Sequence, residues 1–169
     1  AAVGRDAFTR HMAPNQNDFF ASNCFFLIVQ DMAGDPVGMV GFRCDDLAGE
    51  TLAHYATRRA ANLHPGSRAL PVPRLPEISD TMRGRLLYSG EMYIAPRARV
   101  RGDRTYIRAI MLTGYVAAVL RWPGIAWSYG FMRDQDVQRG LPWAYMYARQ
   151  IPFANSWSVP PGSTIFSDH

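Results

Sequence analysis

The order of elements in the second half of the chain constrains the fold more than any other sequence feature. Residues 86–94 (LLYSGEMYI) predict a strand, and a basic turn over 95–104 follows it. Apolar residues at spacings of three and four then predict a helix over about 104–121. Residues 125–131 (IAWSYGF) predict the next strand. Strand, turn, helix and strand in this order are typical of an α/β domain.

Individual residues refine these boundaries. Ser89 and Gly90, in the middle of the first strand, favour a bulge or a close backbone approach. Asp103 stands where the N-cap residue of the helix belongs. Pro123 and Gly124 stop the helix. The helix is therefore expected to begin at the basic turn and to end just before the second strand.

The first half of the chain predicts a β-hairpin. Residues 24–30 (CFFLIVQ) form a continuous apolar run of the kind found in buried strands. Residues 31–36 (DMAGDP) are dense in turn formers, and 37–43 (VGMVGFR) resume an apolar strand. These three segments together predict a hairpin centred near Gly34.

Two cysteines, Cys24 and Cys44, are too few for a disulfide framework. In a hairpin centred near Gly34 they fall opposite each other, so a cross-strand disulfide is geometrically conceivable. A register slip of one residue would place them on opposite faces of the sheet. We therefore favour two reduced thiols in a cytoplasmic protein.

The remaining segments are less regular. Residues 45–84 combine a candidate helix, in which Leu52, Tyr55 and Arg59 stand at helical spacing, with a Pro-rich excursion that could serve as a substrate lid. The other expected elements are short helices within 5–21, a helix over 134–149 that Gly140 and Pro142 bend or split, and a late strand over 153–159.

Composition sets the class of protein. A chain of 169 residues with 48% hydrophobic and 12% aromatic residues fits one packed domain, 1–169, rather than a disordered chain. No stretch approaches the roughly 18 apolar residues of a membrane span, and no signal peptide is visible. Ala1 is not an initiator residue, so a truncated start is expected. All 18 basic residues are Arg, which is typical of a GC-rich bacterial genome, and the net charge of +4 permits an anionic ligand.

The basic turn predicts an anion site. The N-terminus of a helix exposes unpaired backbone N–H groups and carries a partial positive charge. Gly102 would let the backbone approach a phosphate closely, and Arg99, Arg101 and Arg104 would donate hydrogen bonds to its oxygens. A solvated basic turn that only caps the helix is the alternative.

Residues 99–104 (RVRGDR) follow a predicted strand and open a predicted helix, which is the position of the Arg/Gln-x-x-Gly-x-Gly/Ala motif in the GNAT acyltransferases. The hairpin over 24–43 is similar to the second and third strands of that family, and 125–131 to its fifth. Over roughly residues 20–160 the chain therefore resembles a GNAT-like acyltransferase. The resemblance implies a mixed, mostly antiparallel central sheet flanked by helices, with fourth and fifth strands that splay apart.

The chain also departs from the family pattern. Arg104 stands at the last motif position, where the family has Gly or Ala, and the first strand is not evident. The long segment 45–84 is similar to the insertions of acyl-homoserine-lactone synthases and N-acyl amino acid synthases. Those relatives take fatty acyl groups from acyl carrier protein. The resemblance thus implies acyl-CoA as the co-substrate or, alternatively, acyl carrier protein with a long acyl chain lined by 45–84 and 141–153.

The resemblance assigns roles to residues of a site without a permanently bound cofactor. The implied donor-binding set combines strand backbone and basic turn: Met92, Tyr93, Ile94, Arg99, Val100, Arg101, Gly102, Asp103 and Arg104. Glu91 is the implied base toward a small amine, with an ion pair to an arginine as the structural alternative. Strand alternation puts Tyr93 on the face of Glu91. Tyr145 or Tyr147 is the implied proton donor to the departing thiolate, with core packing as the alternative.

Three other kinds of function stay open or are disfavoured. Five arginines of the turn and the first helical residues could contact phosphates of a nucleic acid, but aromatic residues for base stacking are lacking there. A GNAT-like domain that only binds a ligand or a partner is a further alternative. The four histidines show no metal-ligand spacing with each other or with cysteine, so no metal site is expected: His11, His54, His64 and His169.

Overall fold

The computed structural model describes Met12 and residues 18–63, 77–99, 104–132 and 134–149. In these ranges a mixed sheet of four strands runs in the order β1-β2-β3-β4. The strands are β1 (Cys24–Gln30), β2 (Pro36–Asp46), β3 (Arg85–Ile94) and β4 (Ile125–Tyr129). The helices are α1 (Leu52–Leu63), α2 (Thr105–Arg121), α3 (Asp134–Gln138) and α4 (Leu141–Ala144), with 3-10 turns at Glu77–Asp80 and Pro96–Ala98. The predicted α/β class, with a mixed sheet flanked by helices, is confirmed.

The hairpin of β1 and β2 has the predicted turn and the predicted bounds of its first strand. Its register pairs Cys24 with Arg43, so Cys24 and Cys44 lie on opposite faces of the sheet. The expectation that the two cysteines fall opposite each other was therefore wrong by one residue. Both thiols are free, in agreement with the favoured interpretation. Burial raises the pKa of each thiol, which keeps both protonated near neutral pH.

The strand β3 occupies a central position in the sheet. It pairs antiparallel with β2 along its length and parallel with β4, and α2 makes the crossover between the two parallel strands. The pairing with β4 ends at Tyr88 opposite Tyr129, whereas β3 continues to Ile94. Because β4 ends at Tyr129, the second half of β3 pairs only with β2 among the described strands.

One face of the sheet, here called the apolar face, packs against α2. Val40, Phe42 and Leu87 form a single buried cluster with residues of α2, which are Ile110, Met111 and Ala118. Gly114 permits the close approach of α2 because the ring of Phe42 occupies the space that a Cβ atom would need. The helical spacing predicted for residues 110, 111, 114 and 118 is confirmed.

The opposite face, here called the polar face, carries Arg43, Asp45 and Tyr88 and lies under α1. The helix α1 confirms the helix expected within 45–84, and its Leu52 and Tyr55 pack with Leu86 of β3. This second cluster also contains Leu47 and Met82. The sheet is thus covered on both faces, and β3 contributes to both clusters.

Several predicted boundaries need correction. The helix α2 begins at Thr105, with Arg104 rather than Asp103 at the N-cap position, and β4 ends at Tyr129 rather than at residue 131. The helix expected over 134–149 is split into α3 and α4 at Gly140, whose φ is 71°, and it ends at Ala144.

Some of the sequence predictions cannot be compared with the structure. The strand expected over 153–159, most of 5–21 and the Pro-rich residues 64–76 lie outside the described residues. None of the described helices combines the length and the apolar character that a membrane crossing requires.

Candidate functional site

A β-bulge interrupts β3 just beyond the point where its pairing with β4 ends. Gly90 lies opposite Gly41 and Tyr93 opposite Met39, so two residues of β3, Glu91 and Met92, face a single residue of β2. The bulge favoured by Ser89 and Gly90 is therefore present one residue further along. Glu91 adopts a φ of 58°, which is rare for a residue with a side chain. Simple alternation does not continue through a bulge, so the spacing alone no longer places Tyr93 and Glu91 on one face.

The carboxylate of Glu91 lies in a buried environment beside Tyr88. Glu91 is 6% exposed. The Tyr88 ring leans along β3 over Gly90, where a Cβ atom would come within 2.8 Å of its hydroxyl oxygen. Burial raises the pKa of Tyr88 to about 12; the positive charge of Arg43 opposes this rise, and the negative charge of Glu91 adds to it. Glu91 is thus electrostatically coupled to the polar face.

The hydroxyl of Tyr147 lies on the other face of the sheet, next to the end of the β3–β4 pairing. It shares a hydrogen bond of 2.6 Å with the Ser89 hydroxyl. It also lies against Gly130, the residue after β4, where a Cβ atom would collide with this hydroxyl and come within 2.9 Å of the Ser89 carbonyl oxygen. Burial raises the pKa of Tyr147 well above its usual value. Tyr147 therefore presents a neutral hydroxyl next to the end of the β3–β4 pairing.

Two further hydroxyls complete a hydroxyl cluster of Ser89, Tyr115, Ser128 and Tyr147. Burial raises the pKa of Tyr115, and hydrogen bonding to the Ser89, Ser128 and Tyr147 side chains acts in the opposite direction. The Tyr115 hydroxyl also donates to the Tyr145 carbonyl over 3.1 Å. Sequence analysis missed Ser89, Ser128 and Tyr115 as a group because they belong to three different elements.

The two tyrosines that were candidates for the same role occupy different environments. Tyr145 is buried in the apolar cluster with Val40 and Met111, as the packing alternative expected. Tyr147 reaches the hydroxyl cluster, and the two rings are 5.9 Å apart between centroids. Of the two tyrosines, Tyr147 is the one whose hydroxyl lies next to the end of the β3–β4 pairing.

The flanks of the basic turn lie at the same end of the sheet. Arg99 donates from Nε to the Ile94 carbonyl over 2.8 Å, and its guanidinium is 6.0 Å from the Tyr93 ring centroid. Arg104 donates to the Gly140 carbonyl over 2.6 Å. Met92, Tyr93 and Ile94 are half-buried and lie beyond the part of β3 that pairs with β4. The four residues between these flanks lie outside the described residues: Val100, Arg101, Gly102 and Asp103.

The polar face holds a buried charge cluster of Arg43, Asp45, Tyr55 and Tyr129 that sequence analysis did not identify. Arg43 and Asp45 are 2% and 6% exposed, and two hydrogen bonds of 2.7 and 2.8 Å join them. Asp45 also accepts from the Tyr55 hydroxyl over 2.6 Å and from the Tyr129 hydroxyl over 2.8 Å. The spacing of two between Arg43 and Asp45 on a strand was the available signal, because it places both on one face.

Electrostatics fixes the protonation states in the buried charge cluster. Burial alone would raise the pKa of Asp45, but the adjacent Arg43 guanidinium outweighs it and lowers the pKa below the usual value. Burial raises the pKa of Tyr55 to about 12, and the charge of Asp45 adds to this rise. At neutral pH the cluster is therefore an ion pair held by two neutral phenols.

A cavity of about 230 Å³ opens over the buried charge cluster. Its lining comes from β2, α1 and the segment before β1: Asp18, Phe19, Asn23, Arg43, Cys44, Asp45, Asp46, Tyr55 and Arg59. A second cavity of about 430 Å³ lies between the hairpin turn and the start of α2, where Arg97 and Tyr106 line it. The Arg97 guanidinium already pairs with Asp31 there, at 3.2 Å.

The candidate site thus has two parts on either side of β3: Tyr147 with its hydroxyl cluster on the apolar face, and Glu91 beside the charges of the polar face. The end of β3 and Arg99 follow Glu91 closely in sequence, and Arg104 reaches the Gly140 carbonyl between α3 and α4. Comparison of this chain with protein-family models, with curated proteins and with solved structures gives no match.

Proposed function

We propose that the chain is an acyltransferase that moves an acyl group from a thioester donor to an amine of a small molecule. The observation that supports this proposal is the end of the β3–β4 pairing next to a buried carboxylate, Glu91, and a neutral phenol, Tyr147. In the GNAT family, which the sequence resembles, the donor inserts between two such strands.

The donor would lie along the second half of β3, on the side that faces away from β2. On the β4 side, Met92, Tyr93 and Ile94 have no strand opposite them among the described residues, so an extended chain can lie along that side of β3. The turn over 99–104 connects this strand end to the N-terminus of α2, where backbone N–H groups and arginines favour phosphates. A coenzyme A thioester combines an amide-containing chain with phosphates, so its chemistry fits this order of groups.

The reaction forms a C–N bond and breaks a C–S bond at the thioester carbonyl. The amine must first lose its ammonium proton, and we assign the acceptance of that proton, directly or through water, to the Glu91 carboxylate. Two features support this role: Glu91 is buried, and it stands in the bulge of β3 with a φ of 58°. The sulfur leaves as a thiolate, which takes up a proton to complete the exchange.

We assign to Tyr147 the stabilisation of the thiolate. A thiol has a pKa of about 8.5, whereas the pKa of Tyr147 lies well above the usual tyrosine value. Full proton transfer from Tyr147 to the thiolate is therefore uphill, and a hydrogen bond from the neutral hydroxyl to the developing charge is favoured. Ser89 would hold the Tyr147 hydroxyl in position through their shared hydrogen bond.

The proposal is tested by calorimetric titration of the protein with acetyl-CoA and with a long-chain acyl-CoA, followed by assays of thiol release with a panel of small amines. Glu91→Gln and Tyr147→Phe are expected to bind the donor within about threefold of the unaltered protein and to lose roughly 100-fold in turnover. Gly102→Glu is expected to abolish donor binding. Arg58→Gln is the matched control, because Arg58 is an exposed residue that pairs with Glu50.

The same titrations can overturn the proposal. Failure of both coenzyme A thioesters and of an acyl carrier protein thioester to bind would contradict it. Salt-sensitive retention on DNA without donor binding would favour a nucleic-acid-binding module. Donor binding without turnover across the amine panel would favour a domain that only binds its ligand.

A further inference from the structure

The cavity over the buried charge cluster lies outside the donor groove and has its own chemistry. We infer that this cavity binds a small zwitterion, a molecule with both an ammonium and a carboxylate group. Its role as the acyl acceptor rests on the proposed function, whereas the binding itself does not.

The size of the cavity limits the ligand. About 230 Å³ is below the range of about 300–1,000 Å³ that is common for drug-sized ligands. At about 30 Å³ per water molecule, it holds roughly eight molecules of that size. A ligand of roughly eight to ten non-hydrogen atoms, the size of a small or medium amino acid, therefore fits, and a nucleotide does not.

The cavity lining carries positive and negative side chains, and a ligand that complements it carries charges of both signs as well. Two arginines, Arg43 and Arg59, and three aspartates, Asp18, Asp45 and Asp46, leave a sum of −1 when they are counted together (two minus three). A ligand with a single charge would remove water from the arginines and from the aspartates. Only the residues of opposite charge would be compensated by the ligand, and those of like charge would not. A zwitterion can place its carboxylate toward Arg59 and its ammonium toward the aspartates.

Burial of the charged Arg43–Asp45 pair at the floor of the cavity costs desolvation free energy, and a contribution to ligand recognition would account for it. A buried Arg–Asp pair such as Arg43–Asp45 rarely stabilises a fold more than apolar residues of the same volume would. Tyr55 and Tyr129 fix the Asp45 carboxylate with two further hydrogen bonds. Charges that are already held in place need no reorganisation when a ligand binds, which favours tight and specific binding.

One residue of the cavity wall and the candidate base both act electrostatically on Tyr88. Arg59 donates to the Tyr55 hydroxyl over 3.1 Å and lines the cavity. The charges of both Arg59 and Glu91 act on the Tyr88 hydroxyl, so the cavity wall and the Glu91 carboxylate share a neighbour.

The test compares three ligands of one carbon frame by titration of isotopically labelled protein in NMR. L-leucine carries both charged groups, 3-methylbutylamine only the ammonium, and 4-methylpentanoate only the carboxylate. We expect leucine to bind at least tenfold more tightly than either analogue, with amide shifts centred on Asn23, Cys44 and Tyr55. Equal affinities, or leucine shifts elsewhere, would overturn the inference.

Variants identify the charged contacts. Arg59→Gln and Asp18→Asn are each expected to weaken leucine binding at least tenfold, with the apolar-face amides unshifted as a check of folding. Arg58→Gln and Asp35→Asn are the controls, since both residues are exposed and neither lines the cavity. Unchanged leucine affinity in Arg59→Gln and Asp18→Asn would contradict the site.

Titration of the same samples with acyl-CoA separates this inference from the proposed function. Leucine binding without donor binding would contradict the acyltransferase proposal and leave the zwitterion site standing. Donor binding with equal, weak binding of the three small ligands would leave the proposed function standing and overturn the zwitterion site.

Discussion

The two faces of β3 differ in what holds them together. The apolar face packs Val40, Phe42 and Leu87 against α2, and its stability comes from removing apolar surface from water. The polar face instead buries the Arg43–Asp45 ion pair under α1. An apolar core tolerates changes of pH, whereas a buried ion pair depends on the charge of both partners. The apolar face thus depends on apolar surface removed from water, and the polar face depends on paired charges.

The largest expected effect on the polar face comes from Asp45→Asn. This change leaves the Arg43 guanidinium buried without its carboxylate, and we expect a loss of about 3–5 kcal/mol in the free energy of unfolding. Denaturation in urea at pH 7 measures it. The control is Asp46→Asn, since Asp46 is exposed and its pair with Arg85 contributes only about 0–1 kcal/mol. Equal, small losses in the two variants would show that the ion pair is not a structural feature of this face.

A matched change on the apolar face is Phe42→Ala. Phe42 is fully buried between β1 and α2, so a loss of about 3–5 kcal/mol is expected from transfer and cavity terms. Leu112→Ala on the outer side of α2 is the control, because Leu112 is 55% exposed and should cost less than about 1 kcal/mol. A loss below about 1 kcal/mol in Phe42→Ala would contradict the packing described for this face.

The dependence on pH separates the two faces. The pKa of Asp45 is lowered in the folded protein, so its contribution to stability is complete above the unfolded-state pKa of about 3.9 and is lost as pH falls through the lower folded-state value. The cost of Asp45→Asn should therefore be constant from pH 5 to 7 and shrink below about pH 4. The cost of Phe42→Ala should stay nearly constant over the same range. Parallel pH profiles for the two variants would remove the distinction between the faces.

Removal of either of two tyrosine hydroxyls is expected to change the free energy of unfolding by a smaller amount, and in opposite directions. Tyr147→Phe removes the hydrogen bond to Ser89 and should cost about 1 kcal/mol. The buried Tyr106 hydroxyl has no hydrogen-bond partner within the part of the chain that the structure describes, so Tyr106→Phe should be neutral or stabilising by up to about 1 kcal/mol. Thermal and urea unfolding of both variants measure the difference. A destabilised Tyr106→Phe would mean that this hydroxyl bonds to a group outside the described residues.

The smallest expected effect concerns the cysteines. Because Cys24 and Cys44 lie on opposite faces, a reducing agent should leave the melting temperature unchanged, and thiol titration of the unfolded protein should find two free groups. One disulfide per chain would contradict the register of the hairpin.

Local patterns in the sequence predicted most elements of the fold. The run 24–30, the turn after it and the 3–4 spacing within α2 are signals of neighbouring residues, and they gave β1 and α2 to within one residue. The bulge was expected from Ser89 and Gly90. Its position at Glu91 depends on the pairing with β2, which the sequence of β3 alone does not contain.

The candidate sites depend on contacts between distant residues, and local patterns could not predict them. Tyr129 reaches Asp45 across 84 positions, and Tyr147 reaches Ser89 across 58. Sequence analysis selected Glu91 and Tyr147 only through the family resemblance. It could have selected Arg43 and Asp45 by their alternation on β2, but not the phenols that fix them.

The proposed thioester donor binds along β3, beyond the point where its pairing with β4 ends. The most direct measurement is the NMR titration of labelled protein with acetyl-CoA and with desulfo-CoA, with the shifted amides mapped on the chain. We expect the amides of residues 89–94, 104–106 and 128–132 to shift together. Gly130→Ala, which displaces the Tyr147 hydroxyl, should weaken these shifts. Shifts confined to other parts of the chain, or no shifts at millimolar donor, would contradict the claim.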